Sequence, residues 1–302
     1  MKYELIEKIN KLKKEKNAVI LVHNYQPADI YDIADFTGDS FGLSLEASRT
    51  DADIIIFCGV HFMAETAHIL SPHKKVLLPA LDAGCPMANM VNPEDLKKMK
   101  EKYPTAAVVS YMNTTAETKS LSDVICTSGN AVKVVNFLPH KQIIFVPDEN
   151  LGSYVAENTD KEIILWDGYC HVHKKFSPEG IVALKKKYPE AEVIVHPECP
   201  KAVRDHADYI NSTSGMVTSA RNSKAKEFII ATEIGMLEML RREVPGKKFI
   251  IAPPSSSCSD MKKISLELVL ETLIKEKNEI ILPVDIREKA VIALKKMLEI
   301  GN

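Results

Sequence analysis

The sequence predicts an α/β protein: three homologous three-layer α/β/α domains with parallel sheets, in pseudo-threefold arrangement around a central active site. Three observations carry that expectation. Motifs recur at steps of 85 to 88 residues along the 302-residue chain. The strands read as unbroken Val, Ile and Leu runs, and amphipathic helical stretches alternate with them.

Four sets of segments keep the same beat. Ala18-Val19-Ile20-Leu21-Val22 leads into His23-Asn24-Tyr25, Ala106-Ala107-Val108-Val109-Ser110 into Tyr111-Met112-Asn113, and Glu192-Val193-Ile194-Val195 into His196-Pro197-Glu198. The second set is Asp39-Ser40, Thr127-Ser128-Gly129 and Thr213-Ser214-Gly215. Ile54 to Phe57, Ile143 to Val146 and Phe228 to Ala231 form the third. In the fourth, apolar runs precede Gly84-Cys85, Tyr169-Cys170 and Ser257-Cys258. One match arises easily by chance; four sets in phase do not. A period this long marks duplicated domains rather than a solenoid. The domains read as 1–85, 86–171 and 172–260, with 261–302 packing back on the first.

Apolar runs without alternation suit parallel strands covered on both faces. Leu5, Ile6, Ile9 and Leu12 recur at helical spacing among lysines. Asn92 reads as a helix cap with Pro93 in the first turn. A helix is expected from Met216, and a last one opens at Asp285 with Glu288 in capping-box spacing.

A net charge of −2 and a pI near 6.5 give no pull toward nucleic acid or anionic membrane. The run Lys185-Lys186-Lys187 reads as a solvated helix face. The lysine-rich start does not resemble a signal peptide, and no apolar run approaches the about 18 residues of a membrane span. Six cysteines without an export signal indicate a reducing, cytoplasmic setting with no disulfides.

Cys58 and Cys126 sit in apolar runs and read as small core residues, and Cys199 beside Glu198 reads as packing. Cys85, Cys170 and Cys258 differ: each follows a strand end, in a loop where side chains can converge. Three thiolates at one point make a metal site with an open position, suited to zinc or an iron–sulfur cluster. For zinc, His171 or His173 is an available fourth ligand, but structural zinc sites usually carry paired ligands, and no C-x-x-C occurs here. An open iron would act as a Lewis acid in a dehydration.

The Ser and Thr residues at helix starts can cap those helices, and three copies near one axis also suit several anion subsites. His23, Tyr25, Tyr111, Asn113, His196 and Glu198 lie just beyond strand ends, where open parallel sheets place ligands. His and Glu can divide acid and base work, and Tyr can deliver a proton or hold an oxyanion. Glu198 is the candidate general base, with Tyr25, Tyr111 and His196 as the other candidate catalytic groups.

These motifs resemble quinolinate synthase. The resemblance rests on His23-Asn24-Tyr25-Gln26, Gly38-Asp39-Ser40, Gly84-Cys85-Pro86-Met87-Ala88 and Tyr111-Met112-Asn113-Thr114-Thr115-Ala116-Glu117. It continues through Trp166-Asp167-Gly168-Tyr169-Cys170, His196-Pro197-Glu198-Cys199, Ser212-Thr213-Ser214-Gly215 and Thr232-Glu233, so that it covers essentially the whole chain. It implies one [4Fe–4S] cluster per chain, held by Cys85, Cys170 and Cys258 with one open iron. Some members carry the last ligand in a C-x-x-C-x-x-C string; this chain has the single-cysteine form around Cys258. The resemblance further implies condensation of iminosuccinate (iminoaspartate) with dihydroxyacetone phosphate to quinolinate, phosphate and water, in the synthesis of NAD. By motif, His23, Ser40, Tyr111, Met112, Asn113, Ser128, His196, Pro197, Glu198 and Thr213 line the substrate pocket. The imine is labile in water, so functional coupling to an aspartate-oxidising enzyme is expected. A small-molecule sensor and a zinc hydrolase or lyase are the competing classes.

Overall fold

The structure is a computed structural model that describes residues 2–301. It repeats one pattern, helix then strand four times over, in three successive modules. The first holds α1 (Lys2–Glu15), β1 (Ala18–His23), α2 (Ala28–Tyr31), β2 (Phe36–Gly38), α3 (Ser40–Arg49), β3 (Ile54–Cys58), α4 (His61–Leu70) and β4 (Lys75–Leu77). The second holds α5 (Pro93–Lys102), β5 (Ala107–Tyr111), α6 (Ala116–Ser120), β6 (Val124–Cys126), α7 (Ala131–Phe137), β7 (Gln142–Val146), α8 (Glu149–Ala156) and β8 (Glu162–Leu165). The third holds α9 (Pro178–Lys187), β9 (Glu192–Val195), α10 (Lys201–Arg204), β10 (Tyr209–Ile210), α11 (Thr213–Asn222), β11 (Glu227–Ala231), α12 (Met236–Glu243) and β12 (Lys248–Ile251). Helices α13 (Leu266–Lys275) and α14 (Val284–Gly301) follow.

Each module makes one parallel four-stranded sheet, in the orders β2-β1-β3-β4, β6-β5-β7-β8 and β10-β9-β11-β12. The chain leaves the first strand of each to one side, then crosses to the other. The carboxyl end of that strand is therefore a topological switch point, three times over. Ile20, Leu21, Ile55, Val109, Ile144, Ile194 and Ile229 are fully buried, as apolar runs covered on both faces require.

The triplication reaches single side chains. Asp35, Asp123 and Asp208 accept the backbone N–H of Ile20, Val108 and Val193 at 2.8, 2.7 and 2.7 Å. Each satisfies a first-strand amide just before pairing with the second strand begins.

The expected cap at Asn92 is present, its Oδ1 accepting the Glu94 N–H at 2.8 Å. Two helix starts differ from expectation. Helix α11 begins at Thr213, three residues before Met216, because the Ser212 hydroxyl accepts the Gly215 N–H and stops the end there. Helix α14 begins at Val284: the Pro283 carbonyl accepts the Arg287 N–H at 3.0 Å, which leaves Asp285 inside the first turn.

The tail also differs. Helix α13 packs on α1 of the first module, but α14 lies mainly against α6, β6 and α7 of the second, touching the first through α4. The one-turn α6 covers little of its sheet, and Ala290, Ala293, Leu294 and Met297 of α14 complete that layer. The first two modules and the tail consequently share one large core, beside which the second has a smaller cluster on its other face; the third has a cluster on either side of its sheet, one of which takes in Tyr31 of the first module. Arg204, 2 % exposed, joins the third module to α8 through the Asn150 carbonyl and Glu157 (2.8 Å).

Candidate active site

The carboxyl ends of all three sheets open on one cavity of about 70 Å³. The tripeptides that continue the first strands build its centre. Each tripeptide turns as it leaves its strand: the Gln26 N–H bonds the His23 carbonyl and the Cys199 N–H the His196 carbonyl, both at 2.9 Å, and the Thr114 N–H bonds the Met112 carbonyl at 2.8 Å. His23 and Tyr25, Tyr111 and Asn113, and His196 and Glu198 all line the cavity. The middle residues turn away. Asn24 donates to Thr213 Oγ1 at 2.9 Å, Met112 is fully buried with its sulfur 3.5 Å from the Thr66 hydroxyl, and Pro197 is buried. Met112 and Pro197, expected in the pocket, do not line it.

Ser40, Ser128 and Thr213 line the cavity at the starts of α3, α7 and α11. Capping falls to their neighbours: Asp39 accepts the Gly42 N–H at 2.9 Å, and Ser212 that of Gly215 at 3.3 Å. Among the described residues, no Lys or Arg lines the cavity. Anions here would be met by hydroxyls and by the positive ends of the ten-residue helices α3 and α11.

Two imidazoles have their tautomers fixed. His23 Nδ1 accepts the Tyr25 N–H at 3.1 Å, and His196 Nδ1 accepts the Glu198 N–H at 3.3 Å. The ring proton of each neutral imidazole therefore sits on Nε2. Burial pushes both pKa values down to about 3, helped by Lys262 for His23 and by His173 for His196. At neutral pH these rings are hydrogen-bond donors rather than acids. As pH falls from about 6.5 toward 3, the unfolded chain takes up two protons that the folded protein refuses. Stability is expected to drop by up to about 2.7 kcal/mol per pH unit in that window, read as the urea midpoint of the protein against pH. Glu198 does not mask this: its depressed pKa gives stability that is kept above its ordinary value of 4.5 and lost progressively as pH falls from there toward about 2, in the same direction as the histidines.

Glu198, 3 % exposed, is the hub of a chain through all three modules. Burial opposes its ionisation, but His173, His196 and the Tyr111 hydroxyl outweigh burial and hold its pKa at about 2. Glu198 Oε2 lies 2.6 Å from His173 Nδ1, though that nitrogen finds no aligned acceptor, so the contact is electrostatic rather than a well-directed hydrogen bond. His173 Nε2 meets Thr232 Oγ1 at 2.9 Å, and Thr232 Oγ1 meets the Tyr25 hydroxyl at 2.7 Å. Burial raises the pKa of Tyr25 and of Tyr111 well above the ordinary tyrosine value, so both keep their protons.

Cys85, Cys170 and Cys258 border the same cavity, from loops that follow the fourth strand of each sheet. A short 3₁₀ turn follows each cysteine, at Met87–Met90, His173–Lys175 and Asp260–Lys262. Backbone N–H groups of Ala88 and Met87 face the Cys85 sulfur, that of His173 faces Cys170, and those of Met261 and Asp260 face Cys258. The loops are held by carboxylates. Asp148 Oδ2 accepts the Cys170 N–H and Glu233 Oε1 the Cys258 N–H, both at 3.1 Å, and Asp260 accepts the Gly84 N–H at 3.3 Å. Lys262 ties the third module to the first, 3.0 Å from Glu233 Oε1 and donating to the Tyr25 carbonyl.

Burial raises all three thiol pKa values, that of Cys85 to about 12, and Cys85 and its two partners disfavour one another's ionisation. Thiolates here need a cation to balance them, as a metal centre would. Cys58, Cys126 and Cys199 are fully buried in packing, as expected. Among the described residues, the compact group of potential metal ligands is a different one, Cys170, His173 and Glu198, with ligand atoms within 4.8 Å of one another.

Gly168 explains the turn into Cys170: a Cβ there would stand 2.4 Å from the Pro147 carbonyl oxygen. Gly168→Ala is expected to displace the loop and lower metal content per chain at unchanged secondary structure, checked by metal analysis beside circular dichroism.

Sequence reasoning gave Asp148, Thr232 and Glu233 no role. Their phase held a usable signal: Asp148 and Glu233 stand 85 residues apart, in step with Tyr111 and His196. The first module has Val60 at that point of the repeat, and there the His61 N–H bonds the Ala83 carbonyl at 2.8 Å.

A triplicated α/β fold whose three switch points and three cysteine loops meet in one cavity defines an enzyme with a metal-capable centre between its modules. Residues 7–299 match the family described as Quinolinate synthetase A protein, and the chain belongs to that family. It is 54 % identical over 305 residues to a quinolinate synthase of a Sulfurihydrogenibium species, covering 99 % of each chain. The quinolinate synthase of Pelobacter propionicus is 54 % identical over 97 % of each chain, and that of Methanosarcina barkeri 50 % over 98 %. The chain is thus an enzyme of the quinolinate synthase family, acting in NAD biosynthesis. No helix among the described residues is long and apolar enough to cross a membrane.

Proposed function

We propose that the enzyme condenses iminosuccinate with dihydroxyacetone phosphate to give quinolinate, phosphate and two waters, with a [4Fe–4S] cluster on Cys85, Cys170 and Cys258. The observation that carries this reading is that three equivalent loops bring one cysteine each to a cavity rimmed by neutral donors. The donor set fits such a cluster: three partly buried cysteines, their sulfurs faced by backbone N–H groups. Spacing favours a cluster over one zinc ion. Three thiolates on a tetrahedral ion at about 2.3 Å would lie about 3.8 Å apart, and the three cysteines form no group that compact among the described residues.

When bound, the cluster supplies a Lewis-acidic iron with an open position for a substrate hydroxyl. The chain supplies the rest. Ser40, Ser128 and Thr213, with the helix starts behind them, hold carboxylate and phosphate oxygens. His23 and His196 donate from Nε2 to the same oxygens. Asn113 Oδ1, buried without a partner in the protein, accepts from a substrate N–H or O–H. Glu198 takes the proton from carbon, and Tyr25 and Tyr111 return protons to leaving oxygens. The labile imine arrives from an aspartate-oxidising enzyme, in a reducing cytoplasm that keeps the thiols free.

Anaerobic purification with iron, sulfide and zinc analysis, followed by a quinolinate assay with both substrates, tests the reading. About four irons and four sulfides per chain with quinolinate formed are expected; one zinc without sulfide would overturn the cluster.

A further inference from the structure

One corner of the site carries a second mode of metal binding. Cys170 and His173 are spaced C-x-x-H on a single turn, and with Glu198 their ligand atoms form the 4.8 Å group. His173 is 1 % exposed. Its Nε2 is held by Thr232 Oγ1 at 2.9 Å, which leaves Nδ1 facing Glu198 with no aligned hydrogen bond. That nitrogen lies 2.6 Å from Glu198 Oε2. A buried ring nitrogen beside a second donor, its twin pinned by a hydroxyl, is how metal-binding histidines are usually held. Sulfur, nitrogen and carboxylate on one side and open cavity on the other give three protein ligands and a vacant fourth position. That donor set suits a divalent ion of borderline softness, zinc or ferrous iron. An ion there would also offset the burial of the Glu198 charge and of a Cys170 thiolate. Cys85 and Cys258 lie outside the group.

We propose that the cluster-free enzyme binds one divalent cation, zinc in particular, through Cys170 Sγ, His173 Nδ1 and the Glu198 carboxylate, and that this ion and the cluster exclude each other. Binding rests on the geometry alone; the exclusion also rests on Cys170 being a cluster ligand, as proposed above. Zinc taken up before the cluster therefore blocks maturation at one shared sulfur.

Cobalt tests the binding in cluster-free protein under anaerobic conditions. One equivalent should give tetrahedral visible bands and a thiolate-to-cobalt charge-transfer band. Cys85→Ser and Cys258→Ser should keep both features, while Cys170→Ser and His173→Asn should lose the charge-transfer band. Thr232→Val, which touches no ion, should weaken cobalt by about tenfold or more through the freed ring. Loss of the bands in Cys85→Ser and Cys258→Ser, or full-strength binding in His173→Asn, would overturn the site. A separate arm adds one equivalent of zinc before iron and sulfide. Cluster formation should stall until a chelator removes the zinc, and unhindered formation with zinc still bound would sink the exclusion while leaving the cobalt result standing.

Discussion

Serine at Cys85, at Cys170 or at Cys258 is expected to give a folded, colourless protein with quinolinate formation at background. Each cysteine sits on a loop held by a carboxylate rather than by its own sulfur, so the substitution leaves the scaffold standing. What goes is one of the three proposed anionic ligands, in a pocket where burial already disfavours thiolates. Two remaining sulfurs cannot hold an iron–sulfur centre tightly enough to survive purification. Alanine at Cys58 or Cys126 makes the contrast. Both are fully buried in strands, so each truncation is expected to cost about 1 kcal/mol of stability and no iron. Iron and sulfide content, visible absorbance and melting temperature read all five variants together.

Glu198→Gln is expected to lower kcat by about 10²- to 10⁴-fold, or about 3 to 5 kcal/mol in activation free energy, with iron content and visible spectrum unchanged. The side chain is buried yet ionised because His173, His196 and Tyr111 surround it. Gln keeps the shape and one acceptor but removes the charge that receives a proton. KM should move less than kcat, since the substrate contacts proposed for His23, Ser40 and Thr213 do not depend on that charge. Full turnover with an intact cluster would end the assignment of Glu198 as base.

Much of this was legible in the chain. Three apolar runs at one step gave three parallel sheets, and the phased cysteines gave the loops at one cavity. The first and third residues of each tripeptide line that cavity, but a one-dimensional string does not say that the turns there aim Met112 and Pro197 away from it. The network was hidden for another reason. Thr232 meets both Tyr25 and His173 only because β11 ends beside the first tripeptide, a contact across 207 residues of sequence. Helix α14 was misplaced because its small, apolar face fits any uncovered sheet; the shortness of α6 decides which one. The repeated Asp35, Asp123 and Asp208 were readable in principle, since they keep the common step, but an isolated Asp in a loop carries no signal until the phase is applied.

The core is divided unequally: two modules and the tail share its largest part, and the third is built on two smaller clusters, one reaching Tyr31 of the first module. Glu198, His196 and Cys258 all ride on that third module, and Cys85 and Cys170 border it from the other two. An inorganic centre bonded to all three sulfurs would act as a rivet across that division, added to the ties that Arg204, Lys262 and Asn24 already make. Oxidative loss of that rivet would then do more than remove a catalyst: it would leave the module that carries the base held by those ties alone, so that damage to the chemistry and loosening of the protein become one event.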